Sequence, residues 1–245
     1  MAGTQSDKVA LVIGAGDGTG GAIAKRFARE GFVACVARRT ADKLQPLVAE
    51  ITAAGGRARA FGSDARREEQ MVGLIEEIER DVGPIEVAVF NVGANVPASI
   101  LEETARKYFK IWEMACFGGF LMGREVARRM VARKRGTILY TGATASIRGR
   151  EHFAAFSGAK HALRALAQSM ARELGPRGIH VAHVVIDGAI DTEFIRTTFP
   201  ETYARKAEGG ILDPDHIAEH FWMLHAQPRD TWTFELDLRP WSERW

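Results

Sequence analysis

Five consecutive apolar residues, Val9 to Ile13, run without a break into Gly14, Gly16, Gly18, Gly20 and Gly21. Beyond the glycines, Ala22, Ile23, Phe27 and Ala28 recur at the spacing of one helical face. The order apolar run, glycine cluster, periodic segment predicts a buried strand, a tight turn and a helix. Glycines at such a turn let the backbone approach a ligand closely, and the helix behind them turns unpaired N–H groups and the positive end of its dipole toward an anion. A diphosphate is the natural guest. A glycine-rich turn with no ligand is the plain alternative, so the rest of the chain has to decide between the two.

The same alternation continues to the end. Apolar, β-branched-rich runs at 9–13, 32–37, 57–61, 86–91, 137–141, 180–186 and 231–238 are separated by amphipathic stretches. Segments 41–54 and 68–81 each carry one apolar face, with Leu44, Leu47, Val48 and Ile51 in the first and Met71, Val72, Ile75 and Ile78 in the second. Strand and helix in strict turn predict right-handed βαβ crossovers and a seven-stranded parallel sheet wound on both faces. With 245 residues, 46% of them hydrophobic, residues 1–245 are expected to form one α/β domain. Segment 102–134, expected as one long helix, carries Phe109, Trp112, Phe117, Phe120 and Met130, with Gly118 and Gly119 open to close approach, and is expected to pack or to face another subunit. A further helix is expected over 152–174, ended by Gly175-Pro176. Between 188 and 212 the periodicity fades before Asp213-Pro214 opens another helix, and an irregular stretch beside a parallel sheet is where a substrate lid sits.

Composition excludes several classes of partner. Lys and Arg total 33 against 31 for Asp and Glu, a net charge of +2, which predicts neither nucleic-acid nor membrane binding and leaves a small molecule as the partner. Cys35 and Cys116 lie far apart, so neither a disulfide framework nor a metal site is expected. The opening MAGTQSDK has no basic stretch followed by an apolar one, and a cytoplasmic location is the expectation.

In a doubly wound sheet the ligand lies at the carboxyl ends of the strands. Arg38 and Arg39 follow the second run at the place where an acidic residue would hold the ribose 2′-hydroxyl of NAD. Two guanidinium groups there match the 2′-phosphate of NADP instead, and NADP is expected with NAD as the lesser alternative. Asp64 and Asn91 stand at the next two strand ends.

These residues, taken together, resemble the short-chain dehydrogenase/reductase family over essentially the whole chain. The resemblance lies in Gly14-x-x-x-Gly18-x-Gly20, in Asp64, in Phe90-Asn91-Val92-Gly93, in Phe156-Ser157-Gly158-Ala159-Lys160 and in Asp187-Gly188-Ala189-Ile190-Asp191-Thr192. It implies a single-domain Rossmann fold in which Gly14, Gly18 and Gly20 line the diphosphate, Asp64 meets the adenine, Asn91 and Gly93 lie by the adjoining ribose, and Ile190 and Thr192 meet the carboxamide. It also implies a homotetramer or homodimer built on 102–134, 152–174 and the C-terminal strand, where the tail WTFELDLRPWSERW offers three tryptophans for burial against a neighbour.

Departures from the family pattern fall on the catalytic positions. The Asn, Ser, Tyr and Lys of the family align with Cys116, Ala143, Phe156 and Lys160, with Thr144 next to Ala143 leaving that register open by one. A phenyl ring cannot donate the proton that the family's tyrosine gives, while Lys160 retains its reach to the nicotinamide ribose. His152, one turn before Phe156, and Asp187, at the end of the sixth strand, are the replacement acid/base candidates. Against them stand a solvent-facing helix start and a turn-forming Asp. Two functions follow: an NAD(P)(H)-dependent oxidoreductase with an altered proton donor, or a cofactor-binding pseudoenzyme. Phe194, Ile195, Phe199 and Tyr203 in the lid point to an apolar substrate.

Overall fold

In a computed structural model describing residues 7–93 and 95–243, seven parallel strands form one sheet in the order β3-β2-β1-β4-β5-β6-β7. The strands are β1 (Val9–Ile13), β2 (Val33–Arg38), β3 (Arg57–Gly62), β4 (Ile85–Phe90), β5 (Gly136–Thr141), β6 (Ile179–Ile186) and β7 (Glu235–Leu238). The chain starts in the middle, winds outward through β2 and β3, then returns to β4 on the other side of β1. That reversal places the switch point between β1 and β4, where a crevice opens at the carboxyl ends.

Strand alternation divides the core. Val9, Leu11 and Ile13 of β1 face one hydrophobic layer and Ala10 and Val12 the other. The first layer is closed by α3 (Glu68–Asp81), α5 (Gly118–Arg133) and α6 (Ala154–Leu174), and the second by α1 (Thr19–Arg29), α2 (Gln45–Ala53) and α9 (Pro214–Ala226). β1 and β4 are buried along their whole length, which is why they read as unbroken apolar runs.

Two expectations are corrected. The aromatic segment is not one helix: α4 (Ala105–Trp112) passes through a π turn at Glu113–Phe117 before α5. Widening the helix by a residue lets Gly118 and Gly119 come against Phe90, where a Cβ at either would lie 3.2 Å from the ring. The last strand is shorter than 231–238, because Gln227 clamps Thr233 by accepting from its N–H and donating to its Oγ1, both at 2.8 Å, so pairing begins at Glu235. In the tail, Trp232 stacks on His180 at 4.9 Å and Trp241, 81% exposed, donates to Glu208 O, while Trp245 lies outside the described residues. The lid segment does carry helices, α7 (Glu193–Thr198) and α8 (Pro200–Ala204).

Candidate functional site

The carboxyl ends of β1 to β4 surround a cavity of about 550 Å³ lined by Gly14, Gly16, Gly18, Gly20, Arg38, Arg39, Asp64, Asn91 and Gly93. Its floor depends on missing side chains. Gly14 has φ +85°, and a Cβ on it would sit 2.6 Å from Asn91 O. A Cβ on Gly20 would meet Gly14 O at 2.6 Å and Asn91 Nδ2 at 2.9 Å. Asn91 Nδ2 donates to Gly14 O at 3.1 Å, and the Asn91 N–H donates to Ile13 O at 2.9 Å, so this residue pins the glycine turn to the end of β4. Thr192 approaches the same turn from the lid, its methyl 3.1 Å from where a Cβ on Gly18 would lie. Its Oγ1 caps α7 by accepting from the Ile195 N–H.

Charge in this cavity is mostly positive. Arg38 reaches back over the turn, Nη1 lying 3.9 Å from the Cβ position of Gly16. Neither Arg38 nor Arg39 has an ion-pair partner among the described residues. Lys43 and Arg66 also line the cavity, and the sequence reading missed both. Arg66 is committed to Asp64, its Nη2 donating to Oδ2 at 2.5 Å, and this fork holds the Asp64 carboxyl down at about 2. A glycine-floored cleft at a helix N-terminus with two free guanidinium groups fits a dinucleotide diphosphate and an additional phosphate.

A second cavity of about 310 Å³ adjoins the first, the two sharing Thr19 and Asn91. It is lined by Asn95, Ala143, Thr144, Arg148, Arg150, Phe153, Phe156, Ser157 and Ile190 among others. Lys160 lies behind it, 3% exposed, with Nζ donating to Thr141 O at 2.8 Å and Val92 O at 3.1 Å. Burial lowers its ammonium to about 8. The Phe156 ring, one turn earlier on α6, is centred 5.8 Å from that nitrogen. Cys116, in the π turn, is also buried, which pushes its thiol up to about 11. Among the described residues the lining holds no tyrosine; Tyr140 is wholly buried in the core, donating to Gly119 O at 3.2 Å.

The proposed acids fare differently. Asp187 is 1% exposed, and Thr144 Oγ1 donates to its Oδ1. Arg148 Nη2 lies 3.5 Å from Oδ1 and Arg239 Nη2 3.6 Å from Oδ2. A buried carboxylate flanked by two guanidinium groups and bonded to a hydroxyl that lines the cavity was visible in the sequence only as an Asp before a glycine. His152 is not among the residues lining either cavity. It is exposed on the turn before α6 with φ +66°, and its carbonyl accepts from the Ala98 N–H. Phe194, Ile195, Phe199 and Tyr203 line neither cavity, and Phe194 and Phe199 pack edge-on against each other at 5.9 Å. The second cavity is instead marked by two arginines.

Comparison with known proteins bears on this geometry. The profile of the short chain dehydrogenases matches residues 8–202. An uncharacterized oxidoreductase of Methylorubrum extorquens is 34% identical over 191 residues, 78% of this chain and 76% of the relative. Among solved structures, a short-chain dehydrogenase from Rhodopseudomonas palustris is 48% identical, with a TM-score of 0.82 covering 96% of this chain and 99% of that one. A metagenomic short-chain oxidoreductase solved with NADP is 25% identical, with a TM-score of 0.83 covering 97% and 99%.

Proposed function

The chain belongs to the short-chain dehydrogenase family and is an NAD(P)-dependent oxidoreductase acting on a small molecule, and on that premise we propose that its proton travels through Thr144 and Asp187. Bound in the glycine-floored cleft, the nicotinamide supplies or takes up the hydride. What the chain's own residues must do is hold that cofactor and move one proton at the substrate oxygen.

Arg38 and Arg39 face the 2′-phosphate and set a preference for NADP over NAD. Gly14, Gly18 and Gly20 lie against the diphosphate, Asp64 by the adenine, Asn91 and Gly93 by the adjoining ribose, and Ile190 and Thr192 at the carboxamide. Lys160 orients the nicotinamide ribose: two of its three N–H groups are spent on main-chain carbonyls, which fixes the ammonium in place and leaves the third to donate.

The observation that carries the proton assignment is the hydrogen bond from Thr144 Oγ1 to Asp187 Oδ1. Since the hydroxyl proton is committed to the carboxylate, the oxygen presents lone pairs to the cavity. When an alcohol is oxidised, its hydroxyl proton passes to Thr144 Oγ1 as the threonine's own proton passes to Asp187 Oδ1. Carbonyl reduction runs the same transfers backward. Arg148 and Arg239 hold the carboxylate in position, and Phe156 keeps water from the reacting carbon. His152, exposed and outside the lining, has no part in this path.

A panel of secondary alcohols and ketones, followed by nicotinamide absorbance, tests the assignment. Thr144→Val is expected to lower kcat by about 10²–10⁴ with KM for NADP unchanged, the usual worth of a positioned proton-transfer group, and Thr144→Ser to restore most of it. Unchanged kcat in Thr144→Val would overturn it.

We also read the chain as a cytoplasmic homodimer or homotetramer. Phe109, Trp112, Phe117 and Phe120 form a ladder of stacked rings 5.9–6.0 Å apart along α4 and α5, and its outer member Phe109 is 57% exposed. Two buried free thiols, Cys35 and Cys116, suit a reducing compartment.

A further inference from the structure

We propose that the substrate of the second cavity is an anion, a small hydroxy or oxo acid whose carboxylate is held on the wall formed by Arg150, Phe153 and Ser157. The proposal rests on the oxidoreductase reading above and adds to it the chemical class of what is oxidised or reduced.

Charge is the first observation. The cavity is lined by two arginines and, among the described residues, by no carboxylate. Asp187 stands behind the wall, 1% exposed, and of the two lining arginines it offsets Arg148, which also lies 4.0 Å from Glu243. Among the described residues Arg150 has no ion partner, and its guanidinium lies against the Phe153 ring, 5.9 Å from the centroid. A guanidinium left unpaired at the mouth of a cavity offers its donor fork to whatever enters, and a carboxylate matches that fork with two parallel hydrogen bonds.

Unused donors are the second. Ser157 is 6% exposed and lines the cavity, yet its Oγ has no hydrogen-bond partner among the described residues. Thr141 Oγ1, also in the lining and buried, is in the same condition. Buried hydroxyls are ordinarily paired, so two orphans on one cavity mark groups that the ligand satisfies. Ser157 belongs to the same wall as Arg150, since the Ser157 N–H donates to Phe153 O at 2.8 Å and the Phe153 N–H to Arg150 O at 3.1 Å.

The third observation sets the rest of the molecule. Thr144 Oγ1, its proton given to Asp187, accepts from a donor. A substrate with a hydroxyl for Thr144 and a carboxylate for Arg150 satisfies both ends. In the oxo form the carboxylate anchor remains and the carbonyl oxygen becomes the proton acceptor.

The test is binding to the full chain saturated with NADP⁺, which occupies the arginines of the first cavity. Calorimetric titration with 2- and 3-hydroxy acids of three to eight carbons, each paired with its neutral primary amide, is expected to give at least one acid that binds tenfold or more tightly than its amide. Arg150→Met should abolish that difference and Ser157→Ala should reduce it, with NADP⁺ affinity unchanged in both. Amides binding as well as acids, an acid preference that survives Arg150→Met, or no binding by any member of the series would each overturn the proposal. Failure of NADP⁺ itself to bind would instead strike the oxidoreductase reading, and is measured first.

Discussion

Replacing Lys160 by Met should change how stability depends on pH, in a direction and amount that the structure sets. The native chain releases this proton at about 8 because burial penalises the ammonium, whereas an ordinary lysine releases it at 10.5. Between those values the unfolded chain binds more protons than the native one, so stability contributed by this group rises with pH. Below pH 8 both states are protonated and the group gives no slope. The gap, at about 1.4 kcal/mol per pH unit, amounts to about 3 kcal/mol, with no discount for solvent because Lys160 is 3% exposed. Met fills similar space but leaves Val92 O and Thr141 O without their donors, a loss of about 1–3 kcal/mol each that is the same at every pH. Denaturant unfolding of the cofactor-free protein and of Lys160→Met, at pH 7 and pH 10, isolates the pH-dependent part. The wild type should gain about 2–3 kcal/mol more than the variant over that interval. Cys116, raised by burial from 9.0 to about 11, contributes a slope of opposite sign above pH 9, but both chains carry it and it cancels in the comparison. A difference of differences below about 1 kcal/mol, or of opposite sign, would show that the ammonium is better solvated than its burial indicates, and the account of a fixed, desolvated lysine would be withdrawn.

Arg38→Ala should narrow the preference for NADP⁺ over NAD⁺ by about 1–3 kcal/mol, the worth of a charge-assisted phosphate contact; isothermal titration with both cofactors checks it, and equal affinities in the wild type would remove its basis. Gly20→Ala should destabilise the fold by more than about 1 kcal/mol, because its Cβ would have to displace Gly14 O at 2.6 Å and Asn91 Nδ2 at 2.9 Å, and thermal unfolding reads it. Sedimentation at micromolar concentration should show a dimer or tetramer that Phe109→Glu dissociates, and a monomeric wild type would contradict the aromatic ladder as an interface.

Local residue pattern is enough to specify the sheet and its cofactor end. Buried parallel strands are apolar on both faces, so β1, β2, β4, β5 and β6 announce themselves as runs, and the turn after β1 requires glycine at Gly14, where φ is +85° and a Cβ would lie 2.6 Å from Asn91 O. Arg38, Arg39, Asp64 and Asn91 were legible for the same reason: each sits at or within two residues of a strand's carboxyl end, and strand ends converge in this topology. Where chemistry depends on distances between residues remote in the chain, the sequence was silent. It offered His152 and Asp187 as equals, both titratable and both near the right segments; only the tertiary structure turns the first out to solvent and sets the second behind Thr144 between Arg148 and Arg239. The lid aromatics Phe194 and Phe199 pack edge-on against each other, a contact the sequence could not show because an aromatic residue in an irregular segment carries no periodicity to say which way it faces. The unpaired Arg150 and the orphan hydroxyl of Ser157 have no local signature either. An unmet charge or hydrogen bond is a property of a cavity, and cavities exist only once the chain has folded.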